Sequence, residues 1–126
     1  MSNPQQLRYV ADIVDVDIDA IEAFLTTRTA EQLVAHHPDT TEHKMACAVE
    51  WMLQSAAFDA RYALEKLAAP EEQYRALELR RDLKNGWNLL VNAATPWRQT
   101  PGHDADRWRR VTHTSEEGQG RPEGGK

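Results

Sequence analysis

One helical period constrains this chain more than any other feature. From Thr40 to about Ala68, Met45, Val49, Met52, Leu53, Ala56, Ala60, Ala63, Leu64 and Leu67 recur at steps that gather them on one side of an α-helix. Pro70 interrupts the run, and Glu71 and Glu72 then place negative charge where the dipole of a new helix favours it. Beyond them Ala76, Leu79, Leu83, Trp87, Leu90 and Ala94 repeat at steps of three and four, a seam close to a heptad. Gly86 lies beside this seam. A glycine inside a helix costs about 1 kcal/mol against alanine, so its presence predicts a close crossing with the preceding helix. Together the two periods predict an αα-hairpin, about 40–68 and 71–94, as the frame of an all-α helical bundle.

The N-terminal segment carries a less regular pattern. Leu7, Val10, Ala11, Val14, Ile18, Ile21 and Leu25 fit a helical stripe, while IVDVDID alternates apolar and acidic residues at period two and leaves Val16 off that stripe. Asp19 with Glu22 has the spacing of a capping box, which predicts two helices with a break near residues 17 to 19. Thr29 with Gln32 repeats the spacing and predicts a further short helix at AEQLVAHH. Asp39 with Glu42 repeats it again at the head of the longest helix. After Pro96 the period fails. Residues 95 to 113 combine two prolines, a glycine and two tryptophans and read as an irregular arm whose aromatics pack back onto the helices. The polar, glycine-rich stretch 114–126 reads as a disordered tail, leaving residues 1–113 as a single domain.

A chain of 126 residues suffices for one core. Its net charge of −5 opposes generic nucleic-acid binding, which needs clustered cations. The charge is uneven: residues 1–69 hold eleven acids and five bases, and residues 70–126 hold nine acids and ten bases. A single cysteine, Cys47, excludes an internal disulfide and a Cys-rich zinc module, and with no signal-peptide pattern or long apolar run at hand a cytoplasmic location is expected.

The stretch HHPDTTEHKMACAVE concentrates the candidate chemistry. His43, Cys47 and Glu50 share one side of the expected helix, with His36 and His37 in the preceding segment, so a mixed metal set or a Cys47 nucleophile activated by His43 would belong here. No HExxH motif, second cysteine or orienting carboxylate accompanies them. The simpler reading makes His43 part of a first turn and His36 and His37 the end of the previous helix, where imidazolium suits the dipole. Asp15, Asp17 and Asp19 resemble the opening of a calcium loop, but Ala20 and Thr26 occupy the positions that an EF-hand gives to glycine and glutamate. No metal or other cofactor is expected.

Trp51, Phe58 and Tyr62 lie opposite the predicted core side of the long helix, with Ser55 among them. Either the N-terminal helices cover this stripe, or it serves a protein partner or a second copy of the chain. In the arm, Arg98, Arg107, Arg109 and Arg110 interleave with Trp97 and Trp108, a composition suited to packing, to an acidic protein partner or to nucleic acid, diluted by Asp104 and Asp106.

The run RRDLKNGWNLLVNAATPWRQTPGHDADRWRR, with its Trp-x-x-Leu, Pro-Trp and Arg-Trp-Arg elements, resembles small uncharacterised helical proteins of actinobacteria and their phages. The resemblance covers about a quarter of the chain and implies no activity, and an excess of arginine over lysine, eleven to four, accords with a GC-rich source. The resulting expectation is a non-enzymatic protein-binding or accessory factor of phage type, acting on a protein partner or as a homodimer. Its expected partner-binding residues are Trp51, Phe58, Tyr62, Trp108, Arg109 and Arg110. A metal- or thiol-dependent enzyme at His43 and Cys47, and a nucleic-acid contact through the arm, stand as the other classes.

Overall fold

The structure, a computed structural model, describes residues 9–112. The tail expected at 114–126 lies outside the described residues, as do Leu7 and His113. Among the described residues the regular elements are helical: α1 (Asp15–Ala35), α2 (Thr41–Leu67) and α3 (Ala76–Ala94), with 3-10 turns at Val10–Asp12, Pro70–Arg75 and Thr95–Trp97. The chain is therefore all-α, and no helix among these residues is long and apolar enough to cross a membrane.

The expected N-terminal break does not occur, and α1 runs without interruption from Asp15 to Ala35. Its start is fixed by Asp17, whose Oδ2 accepts a hydrogen bond from the Val14 amide at 3.0 Å and so satisfies a donor that the first turn would otherwise leave unpaired. Asp19 and Glu22 have a different role. Arg61 of α2 donates to Asp19 at 2.8 Å and also to Glu22, so this i, i+3 pair faces the neighbouring helix instead of capping its own. Thr29 donates to the Thr26 carbonyl within α1, at 3.0 Å, and starts no new helix. The cap of α2 is Thr40, one position after the expected Asp39, with its Oγ1 accepting from the His43 amide at 3.2 Å.

Small side chains set the spacing between α2 and α3. The buried face of α2 is Ala46, Leu53, Ala56, Ala57, Ala60 and Ala63, against Leu79, Leu83, Trp87, Leu90 and Val91 of α3. A Cβ on Gly86 would lie 3.0 Å from the Ala56 carbonyl oxygen and 3.2 Å from the Ala60 Cβ, so glycine is required by close backbone approach. Ile18, Ile21 and Leu25 of α1, with Ile13 just before it, close the core from the other side.

The segment after α3 is held by polar groups that read its backbone. Asn88 is 8% exposed. Its Nδ2 donates to the Val111 carbonyl at 3.0 Å and its Oδ1 accepts from the Val111 amide at 2.8 Å, the two-point match a neighbouring strand would supply. Trp87 Nε1 donates to the Arg109 carbonyl at 2.8 Å. Arg107 binds Asp17 through Nε and Nη2, both at 2.7 Å, and its Nη2 also reaches the Asp12 carbonyl at 2.9 Å. Gly102, with φ 99°, turns the chain so that His103 meets Phe24 edge-on at 5.6 Å and Trp108 at 4.9 Å.

Two outcomes follow from these contacts. Asn88→Ala leaves the amide and carbonyl of buried Val111 without partners and should cost about 3 kcal/mol, read from the urea midpoint at unchanged m-value. Burial of the His103 ring lowers its pKa below the ordinary 6.5. The unfolded chain then takes up a proton more readily than the folded one, so stability is complete above about pH 6.5 and falls as pH drops toward the folded value. His103→Gln should flatten the slope of stability between about pH 7 and 5; an unchanged slope would place the titration elsewhere.

Candidate functional site

The alanine face that lets α2 approach its neighbours buries Leu53, with Leu64 and Leu67 partly covered, and leaves the other large apolar side chains of α2 outside. Met45, Val49 and Met52, expected in the core, are all exposed, Met45 to 63% and Met52 to 57%. For Met45 and Met52 the reason is geometric: α1 and α3 meet α2 across the narrow arc marked by Ala56, Ala57 and Ala60, and a residue at the edge of that arc meets solvent. Trp51, Phe58 and Tyr62 lie farther round and are exposed to 71%, 67% and 43%. Their cover by N-terminal helices is not found: α1 packs on the opposite side of α2, where Arg61 meets Asp19 and Glu22.

Between the outer edges of α2 and α3 runs an open groove of about 650 Å³. Trp51, Met52, Ser55, Asp59 and Tyr62 form its α2 wall, Asp82, Asn85 and Leu89 its α3 wall, and Ala56 with Gly86 its floor. Its walls exist because α2 and α3 run antiparallel: Trp51 and Leu89 lie toward one end, Tyr62 and Asp82 toward the other. Near Tyr62, Arg75 donates to the phenol oxygen at 3.2 Å and is itself held by Glu72, while Lys66 sits 5.5 Å from the ring centroid. Phe58 stands outside the groove, one turn round the helix.

The arm residues separate. Trp108 is 6% exposed and packs 5.2 Å from the Phe24 ring centroid, so it is a core side chain that anchors the arm and has no face to offer a partner. Arg109 and Arg110 are exposed, and the Trp108 indole next to them is turned into the core, so it gives them no stacking platform of the kind single-strand binding uses. Arg107, which sequence composition grouped with them, points inward to Asp17.

At HHPDTTEHKMACAVE the structure shows a junction. His43 Nδ1 lies 2.9 Å from the His36 carbonyl oxygen and 3.1 Å from that of Leu33. Facing two acceptors, this nitrogen carries the proton and donates to carbonyls that the end of α1 would otherwise leave open. Cys47 is half-buried, and among the described residues no three or more His, Cys, Asp or Glu side chains converge as a metal set would. No feature of the sequence reveals this use of His43, because its acceptors lie seven and ten residues away.

His43→Ala should therefore lower stability by about 1 kcal/mol, with the same loss in chelator and in added zinc. A wild-type urea midpoint that moved with chelator would contradict the capping role. Comparison of the chain with protein-family models, with curated proteins and with solved structures finds no match.

Proposed function

We propose that this chain is a small non-enzymatic protein-binding factor that docks its partner on the outer face of the α2 and α3 pair, through Trp51, Phe58, Tyr62 and the groove beside them. The observation that carries this reading is the exposure of three large aromatics on one helix face, beside Met52 at 57% and Leu89 at 42%. Apolar area of this kind is costly to leave in water and is characteristic of interaction sites, where Trp and Tyr supply much of the binding energy. Exposed to 71%, 67% and 43%, the three aromatics together have about 270 to 450 Å² left for a partner to bury, roughly a third to a half of the 800 Å² per side that a stable interface needs. The α2 and α3 pair is the scaffold that holds this face rigid, with α1 and the Trp108 arm bracing it from behind.

A photocrosslinking residue placed at Phe58 should give a discrete product with a partner protein in cells of the source organism. The same residue at Val34, 89% exposed at the far end of α1, should not. Trp51→Ala should abolish the product while changing stability by less than about 0.5 kcal/mol. A product that forms equally from both positions, or from neither, would remove the assignment of this face.

A further inference from the structure

We infer that the partner element received by the groove is an amphipathic helix whose apolar stripe is flanked by lysine or arginine, a reading that rests on the docking role proposed above. The dimensions suit a helix. The α2 wall from Trp51 to Tyr62 covers about 16 Å at 1.5 Å per residue, the length of a three-turn helix. Two antiparallel helices with a floor of Ala56 and Gly86 offer the kind of trough into which a third helix sets residues spaced i, i+3, i+4 and i+7.

The charge of the occupant follows from the walls and from a precedent within the fold. On the covered side of α2, Arg61 receives α1 through the acids Asp19 and Glu22. On the open side the charged residues lining the groove are Asp59 and Asp82, one on each wall, and both are exposed. Lys66 and Arg75 lie near its Tyr62 end, and Arg75 is already paired with Glu72. A helix laid between the two carboxylates gains from bases on both flanks of its apolar stripe.

Other occupants fit less well. A second copy docked by a two-fold axis presents the same face, bringing two copies each of Asp59 and Asp82 into one interface between chains of net charge −5 and supplying no added flanking bases from its groove lining. Residues 113–126, HTSEEGQGRPEGGK, contain no large apolar side chain to fill the trough, and residues 1–8 contain only Met1 and Leu7.

The test uses the full chain and two synthetic peptides of about 14 residues with one leucine stripe at helical spacing, flanked in one by lysine and in the other by glutamate. Calorimetric titration should show the lysine peptide binding at least about tenfold more tightly. The double variant Asp59→Lys with Asp82→Lys should invert the preference. Asp39→Lys with Asp106→Lys, which changes net charge equally at exposed positions away from the groove, should preserve it. Trp51→Ala should weaken the lysine peptide by at least about tenfold. Equal binding of the two peptides, binding of neither, or loss of preference in the control variant would overturn the basic-helix inference. Trp51-dependent binding without charge preference would overturn it while leaving the docking face in place. Self-association of the free chain that Trp51→Ala abolishes would overturn it in favour of a second copy.

Discussion

The close approach of α2 and α3 at Gly86 is the constraint from which the rest of the molecule follows. With Ala56 and Ala60 opposite a residue that has no Cβ, the two backbones meet at a distance that admits no larger side chain. Interior close packing then requires the bulk of the core to come from α3 and α1, through Trp87, Leu79, Leu83, Leu90, Ile18, Ile21 and Leu25. The same geometry leaves Trp51, Met52, Phe58 and Tyr62 of α2 facing outward. The exposed aromatic face is thus the other side of the alanine face, and both are consequences of one helix crossing.

Polar groups inside the fold act as fasteners between distant parts of the chain. Asp17 closes the first turn of α1 by accepting from Val14 and meets Arg107, ninety positions away, in a two-point ion pair whose side chains are 8% and 18% exposed. A pair so enclosed contributes less to net stability than its Coulomb energy suggests, because both ions leave water, but losing either partner strands the other charge. Such an arrangement selects one register for the arm above all others. Asn88 adds to this by matching both polar groups of Val111, and Trp87 by using its single N–H on Arg109.

The all-helical class was legible in the three-and-four periodicity, and Gly86 signalled its close crossing because a helix-interior glycine demands a steric reason. The start of α2 was legible to one residue, its period running from Thr40 and the helix beginning at Thr41, but the capping boxes were not. The S/T/D-x-x-E/Q spacing occurs at Asp19, Thr29 and Asp39, and none of the three caps a helix, because i, i+3 pairs arise on any polar face. At Asp19 and Glu22 the deciding residue lies far along the chain: Arg61 engages both carboxylates across the helix pair. The aromatic stripe was legible as a stripe, since Trp51, Phe58 and Tyr62 fall opposite the core side. Its exposure depends on which face α1 covers, and that is set by Arg61 and the alanines together. For Trp108 the expectation that the arm's aromatics pack back onto the helices agrees with its burial, and its place among partner-binding residues does not; flanking arginines describe local composition, whereas the Phe24 ring that receives the indole lies in α1.

The way Asn88 and Trp87 hold the arm also bears on how this sequence can drift. They engage the carbonyls of Arg109 and Val111 and the amide of Val111, groups that every residue except proline carries in full, so position 109 contributes main chain to the fold while its side chain, like that of Arg110, is exposed. Substitution there is nearly free of structural penalty. Arg109 and Arg110 can exchange charge at little cost to the fold, whereas replacing Asn88, Trp87 or Arg107 removes the contacts that hold the segment after α3.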